Sequence, residues 1–171
     1  MAENQLQRLK HLALRAAKNL WFAHSARTAM AAVASLAIAH LLTLPEAYWA
    51  PITTLIVMQS TVGAAWTASK HRLIGTALGA AMGALLAAFF GPGIVVFGLA
   101  VFVLGLICAA LRLDGSAYRF ASITIAILLL IVRTEPPWIA SLHRFVEVSI
   151  GIAVALIITA LWPQREPPAG Q

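Results

Sequence analysis

The sequence predicts an all-α, polytopic membrane protein with six transmembrane helices preceded by a short amphipathic interfacial helix. Of the 171 residues, 61% are apolar and 11% are charged, whereas soluble domains contain about 45–50% and about 25% respectively. The apolar residues gather into six runs, each close to the ~20 residues that cross a ~30 Å hydrocarbon core. Such a composition leaves no room for a soluble catalytic domain.

The first 22 residues form a polar and basic segment that precedes the apolar runs. Its apolar residues recur at helical spacing, at Leu6, Leu9, Ala13, Ala16 and Leu20. This pattern predicts an amphipathic helix that lies in the membrane interface, with its basic face toward anionic lipid. The charged stretch is too long for a signal peptide, so we expect the segment to be retained.

The six apolar runs, numbered segments 1 to 6, make up a predicted membrane domain over residues 23–163. They cover residues 27–44, 47–68, 72–90, 93–111, 116–133 and 144–162. Segment 2 is the most polar, but a continuous helix would place Trp49 and Trp66 about 26 Å apart, one in each membrane interface. Residues 164–171 are predicted to form a disordered tail.

Basic residues near the segment ends predict the orientation of the chain in the membrane. If the N-terminus is cytoplasmic, ten basic residues lie on the cytoplasmic side and two on the outer side. The ten are Arg8, Lys10, Arg15, Lys18, Arg27, Lys70, Arg72, Arg112, Arg119 and Arg165, and the two are Arg133 and Arg144. This bias predicts that both termini are cytoplasmic. Because the net charge of +6 is carried by residues that flank membrane segments, no nucleic-acid partner is expected.

The sequence lacks the residue patterns of an enzyme or a metalloprotein. Cys108 is the one cysteine, so the chain has no intrachain disulfide and no cysteine framework for a metal or redox centre. No Ser/His/Asp set, HExxH motif, phosphate-binding loop or pair of carboxylates occurs at a usable spacing. We therefore expect no catalytic activity and no cofactor.

Segment 3 carries a stripe of small residues that predicts close helix packing. Gly75, Gly79 and Gly83 are spaced by four residues and form two overlapping GxxxG patterns. Such a stripe lets another helix approach backbone to backbone, which favours association where lipid removes the hydrophobic drive. The spacing leaves open whether the partner helix belongs to the same chain.

Segment 6 places a carboxylate among small residues. From Glu147, steps of four residues lead to Gly151, Ala155 and Thr159. A carboxylate on this stripe should face the protein interior and find a partner, because lipid exposure is costly. Arg144 or His143 can supply that partner, either as a structural ion pair or as part of a substrate route. A metal site at His143 and Glu147 is the weakest alternative, for want of further ligands.

Other polar side chains within the segments are candidates for a transport route. Arg27, Arg72 and Arg119 begin segments 1, 3 and 5, where they either anchor the helices at lipid phosphates or together line a vestibule that favours an anion. Gln59, in the middle of segment 2, is a candidate for a hydrogen-bonding group in the route. His40 could titrate near physiological pH, although a structural role is the simpler interpretation.

The order of residues in segments 2, 3 and 6 resembles a known family. Segment 2 contains Tyr48-Trp49-Ala50-Pro51-Ile52-Thr53 followed by Val57-Met58-Gln59, and segment 3 begins Lys70-His71-Arg72-Leu73-Ile74-Gly75-Thr76-Ala77-Leu78-Gly79-Ala80. Segment 6 runs from Arg144-Phe145-Val146-Glu147 to Leu161-Trp162-Pro163. These stretches are similar to the fusaric acid resistance (FUSC) and aromatic acid exporter superfamily, in which an aromatic strip precedes an R-x-x-G-T-x-x-G helix. The resemblance covers about residues 25–163.

The resemblance implies a six-helix domain in a bacterial inner membrane that exports or conducts organic, especially aromatic, carboxylate anions. The layout is distantly like the aluminium-activated malate transporters, which conduct anions as homodimers. Many FUSC-like exporters carry two such units and large cytoplasmic domains, so we expect self-association, with a dimer favoured. Substrate-binding residues are then expected at Gln59, Arg72, Arg119, Arg144 and Glu147. The alternative function is that of a non-transporting membrane subunit or assembly partner of a larger efflux complex.

Overall fold

The computed structural model describes residues 2–131 and 135–162, with side chains described from residue 21 onward within those ranges. Over these residues the chain forms six α-helices and no strand. The helices are α1 Ala2–Leu41, α2 Trp49–Val57, α3 Val62–Phe90, α4 Ile94–Ala110, α5 Gly115–Leu130 and α6 Pro137–Leu161. The all-α fold class predicted from the sequence is confirmed.

Three stretches of helix are long and apolar enough to cross a membrane. They are Trp21–Leu41 within α1, all of α3 and all of α6. Helices α4 and α5 are apolar but shorter, with 17 and 16 residues. By length and composition the structure therefore supports three spans, and the six transmembrane helices remain a prediction.

The predicted continuous helix over residues 47–68 is wrong. Helix α2 ends at Val57, and Met58 adopts an extended conformation before the chain enters α3. The side chain of Thr61 accepts a hydrogen bond from the backbone N–H of Ala64 and caps the start of α3. Because threonine favours such caps over helix interiors, this polar stretch interrupts the helix. Trp66 consequently lies on α3 and not on the helix of Trp49.

The other boundaries differ from the predictions in instructive ways. Helix α3 runs unbroken through residues 69–71, which lie between the predicted segments 2 and 3. Helix α1 is likewise continuous, so the backbone has no break between the predicted interfacial helix and segment 1. Gly91-Pro92-Gly93 separates α3 from α4, and Gly91 there has a φ of 72°, a conformation that glycine adopts without strain. The predicted tail 164–171, Arg133 and Arg165 lie outside the described residues.

The helices pack as two groups of three. Small and apolar residues of α3, α4 and α5, with Leu104, Ile125 and Leu129 at their centre, form the larger core cluster. Three smaller clusters join α1, α2 and α6. The two groups meet where α3 packs against α2 and α6, and the contacts there include hydrogen bonds from Arg72 to Thr53 and from Ser141 to the Ala80 carbonyl.

Contacts along the chain fix the helix directions. Gly75 meets Ala117 and Gly83 meets Leu128, so α3 and α5 run parallel. Thr54 contacts Gly151 and Met58 contacts Thr159, so the short α2 runs parallel to α6. Arg27 meets Gln59, and Ala39 packs with Ala50, so α1 is antiparallel to α2. This arrangement brings the start of α2 against the middle of α6, where the charged residues of α6 are found.

Candidate functional site

Four side chains from two parts of the chain form a buried charged group, here called the Arg144 cluster: Glu46, Trp49, Arg144 and Glu147. Glu147 is 0% exposed and Arg144 is 2% exposed. Glu147 Oε1 accepts a hydrogen bond of 3.1 Å from the backbone N–H of Glu46. The Nη1 atom of Arg144 lies 3.9 Å from Oε2 of Glu46. The turn between α1 and α2 is thereby held against the third turn of α6.

The indole ring of Trp49 covers the guanidinium group of Arg144. The central carbon of the guanidinium lies 3.3 Å from the centre of the ring. Stacking on an aromatic face stabilises a desolvated cation, and it also fixes the plane of the guanidinium group. The cluster therefore combines a flat cation, an aromatic wall and two carboxylates of unequal burial, since the side chain of Glu46 is 20% exposed.

A second buried cation approaches α2 one turn further along. Arg72 of α3 is 2% exposed, donates a hydrogen bond of 3.3 Å from Nη2 to Thr53 Oγ1, and stacks 4.6 Å from the ring centre of Phe120 on α5. Thr53 follows Trp49 by four residues, so the two arginines reach α2 at positions separated by about 6 Å along its axis. Two buried cations that contact one short helix make the electrostatic potential there more positive, which favours anions.

The third buried arginine, Arg27, has a structural role because it binds backbone carbonyls at helix ends. Arg27 of α1 is 0% exposed, and its guanidinium donates to the carbonyl oxygens of Trp162 at 2.6 Å and Gln59 at 2.7 Å. These carbonyls lie at the end of α6 and in the break after α2, where helix ends leave acceptors without intrahelical partners. Arg27 thus joins three segments of the chain. His24 lies 3.4 Å from the same guanidinium.

The predicted site residues are only partly brought together. Arg144 and Glu147 lie in one cluster, and Arg72 lies one turn of α2 away. Gln59 is half-buried beyond the end of α2, and the contact described for it is made by its backbone carbonyl. Arg119 is exposed and donates to Ser116 Oγ at 3.1 Å, so the arginines that begin segments 1, 3 and 5 do not meet.

The two histidines singled out in the sequence lie away from the Arg144 cluster. His143 points to Glu135, with Nδ1 and Oε2 separated by 3.4 Å, and not to Glu147. His40 is exposed in the last turn of α1. Within residues 21–131 and 135–162, no three histidine, cysteine or acidic side chains are grouped as metal ligands would be.

The small-residue stripes sit at close helix contacts. A Cβ atom at Gly75 or Gly79 would collide with the backbone of α5, and one at Gly83 would lie 2.7 Å from Leu128. The partner of this stripe is therefore α5 of the same chain. Gly151 on α6 is equally close to α2, because a Cβ there would meet the Ala50 carbonyl and lie 2.8 Å from Thr53 Cβ. Close approach at Gly151 brings Thr53 between α6 and Arg72.

Sequence reasoning missed Glu46, Trp49 and Thr53 as parts of the site. From the sequence, Glu46 has no predicted role, and Trp49 is predicted only as a residue of the membrane interface. The bond from Glu46 to Glu147 joins residues 101 positions apart, and local periodicity carries no information on such a pair. A signal was nevertheless present, because Trp49 and Thr53 lie on one helical face next to the polar residues of segment 2.

Another group of charged residues surrounds the turn between α4 and α5. Asp114 accepts a hydrogen bond of 2.7 Å from the Ser116 backbone N–H and caps α5. This bond, with smaller contributions from His71 and Arg119, lowers the pKa of Asp114 below its usual 3.8. Nδ1 of His71 on α3 lies 3.7 Å from the same carboxylate. The turn is thereby placed beside the third turn of α3.

The fold and its buried guanidinium groups define a helical membrane protein with a cationic interior. A family model described as fusaric acid resistance protein-like matches residues 30–158, and the chain belongs to this family. The resemblance seen in the sequence is thus confirmed.

One curated relative supports the same assignment. The chain is 27% identical over 148 residues to the inner membrane protein YeeA of Escherichia coli (strain K12). The matched region covers 83% of this chain and 41% of that protein, so the chain spans less than half the length of this relative. No solved structure matches the chain significantly.

Proposed function

We propose that this protein transports organic carboxylate anions, aromatic ones in particular, across the membrane. One observation carries the proposal. Arg27, Arg72 and Arg144 are each at most 2% exposed, whereas Glu147 is the one fully buried carboxylate among the side chains that the structure describes. Buried charges in a membrane protein are costly and mark substrate or ion pathways. An interior with an excess of cations favours anions.

The Arg144 cluster has the chemistry to recognise an aromatic carboxylate. A guanidinium group binds a carboxylate through two parallel hydrogen bonds, and the Trp49 ring offers a surface for an aromatic ring. Glu147 competes with the substrate for Arg144. When Glu147 takes up a proton, Arg144 becomes available to the substrate, and when Glu147 loses that proton, it displaces the substrate. In this proposal Arg144 attracts the substrate, Glu147 holds or releases it, and Gln59 borders the route further along the chain.

Two wider features belong to the same proposal. We propose that the protein lies in a bacterial inner membrane with both termini cytoplasmic. The E. coli relative is named an inner membrane protein, which supports the location in a membrane. We also propose that the working unit is a homodimer, because closed two-fold assemblies are the commonest for a single kind of chain.

The test is transport by the purified protein in liposomes. Benzoate and a dicarboxylate such as malate are supplied as labelled anions, with and without a pH gradient. We expect benzoate uptake to exceed that of protein-free liposomes. Arg144→Ala should lower uptake at least about tenfold, which corresponds to one charge-assisted hydrogen bond. Glu147→Gln should flatten the pH dependence.

The control removes a charge elsewhere. Arg112 is exposed at the turn between α4 and α5, so Arg112→Ala lowers the net charge equally without touching the Arg144 cluster. It should transport like the parent. Equal uptake by the folded Arg144→Ala and Arg112→Ala proteins would refute a role for the cluster. No uptake of either anion by the parent would favour the alternative of a non-transporting subunit.

A further inference from the structure

Three polar side chains form a buried row on α3. Ser69, Arg72 and Thr76 follow one another at three and four residues, so they lie on one face of the helix. Their side chains are 3%, 2% and 0% exposed. Ser69 Oγ, Arg72 Nε and Thr76 Oγ1 are all buried without a hydrogen-bond partner among the described residues. We call these three residues the α3 polar row.

Arg72 differs from the other two buried arginines in what surrounds it. Arg27 donates to two backbone carbonyls at 2.6 and 2.7 Å, and Arg144 lies beside Glu46. Arg72 has one hydroxyl partner, Thr53 Oγ1, at 3.3 Å. Over residues 21–131 and 135–162 no carboxylate forms an ion pair with it.

The Nε atom of the Arg72 guanidinium group is buried without an acceptor in the part of the chain that the structure describes. The ring of Phe120 stacks against its face, with 4.6 Å between the guanidinium carbon and the ring centre. Nη2 is directed to Thr53 on α2, whereas Nε, on the side of the group nearer the α3 backbone, has no acceptor. A guanidinium group is not deprotonated in proteins, so a cation buried this deeply with a single hydroxyl partner is costly, and an anion beside it would lower that cost.

We propose that the α3 polar row binds one monovalent anion, either the carboxylate group of an organic anion or chloride. Arg72 Nε would supply the charge-assisted hydrogen bond, and the hydroxyl group of Thr76, one turn further along the same face, would donate a second. Ser69 and Thr76 are separated by about 10 Å along the helix axis, so one anion accepts from Thr76 and not from both. A single guanidinium group balances one negative charge, which disfavours dianions. The proposal builds on the proposed function only in naming the carboxylate as a source, since binding requires no transport.

Thermal unfolding of the purified protein in detergent micelles tests the proposal. The melting temperature is measured against sodium acetate and, separately, sodium chloride, with ionic strength held constant by sodium sulfate. A ligand that binds only the folded state raises the melting temperature, and the rise grows with the logarithm of the ligand concentration above the dissociation constant. We expect such a rise for the parent, and the anion whose rise begins at the lower concentration identifies the source.

Two variants test whether the α3 polar row causes the anion-dependent rise in melting temperature. Arg72→Met should abolish the anion-dependent rise, whereas Arg112→Met, which removes an exposed charge at the end of α4, should retain it. A rise that persists in Arg72→Met, or no rise in the parent, would overturn the proposal.

A milder substitution keeps the test valid if Arg72→Met does not fold. Thr76→Val preserves shape and should raise the anion concentration at which the rise begins about tenfold, the effect of losing one hydrogen bond to a charged group. A purely structural Thr76 would lower the melting temperature at every anion concentration and leave that onset unchanged, which would contradict the proposal. Transport measured separately in liposomes distinguishes failure of this site from failure of the proposed function.

Discussion

Replacing Gly79 with alanine tests how closely α3 and α5 approach. The added methyl group would lie 2.8 Å from Thr124 Cβ and 2.9 Å from Ala121 Cα, and it would also collide with the Ala121 carbonyl oxygen. Carbon atoms pack at about 3.5–4.0 Å, so the helices must separate locally by about 0.7 Å. Because two of these contacts are with backbone atoms that cannot rotate away, Gly79→Ala should lower the free energy of unfolding by about 1–3 kcal/mol.

Gly98 on α4 provides the matched control, because nothing lies within 4 Å of a Cβ atom placed there. Gly98→Ala should leave the stability unchanged or raise it by up to about 1 kcal/mol, since alanine favours the helix. Both variants are unfolded reversibly in mixed detergent micelles, and helix content is followed by circular dichroism. Equal stability of the two variants would refute the close backbone contact between α3 and α5.

Two further predictions concern the ends of the bundle. In a chain carrying Cys108→Ala, a thiol reagent added to intact cells should label a cysteine at Glu135 but not one at Lys70; labelling at Lys70 would overturn the orientation. Asp114→Ala should destabilise α5 at neutral pH, because the lowered pKa means that the cap stabilises the fold most when the carboxylate is ionised. This loss should shrink as the pH falls below 3.8, through the lower pKa of the folded state, in unfolding measurements on both proteins. A loss that is independent of pH would contradict the ionic part of the cap.

The regular features of the fold were predictable because they depend on local sequence. Apolar runs at 93–111 and 116–133 became α4 and α5 with shifts of one to three residues at each end. The break after α2 was not predicted. Apolar residues flank the short polar stretch 59–61, so residues 47–68 had the pattern of one apolar run, and the capping role of Thr61 was not recognised. Hydropathy averages over a window, whereas a cap acts through one side chain.

The candidate site was predictable only in part, for a related reason. A buried Glu147 was expected from its stripe of small neighbours, because the stripe and the carboxylate share one helix face. The partner Glu46 and the stacking ring of Trp49 lie about 100 residues earlier in the chain. Such pairs arise from tertiary packing, and a single sequence holds no record of them.

The short length of α2 has a consequence for how the protein enters the bilayer. Its nine residues span about 14 Å, roughly half of a ~30 Å hydrocarbon core, so α2 cannot be inserted as an independent span. We expect α2 and α3 to insert together as one hairpin during biogenesis, with Arg72 entering on the longer arm. In a released chain that ends at Gln59, a cysteine introduced by Ile56→Cys on α2 should then react with a water-soluble thiol reagent, and in one that ends at Phe90 it should be protected. Protection already at Gln59 would contradict coupled insertion.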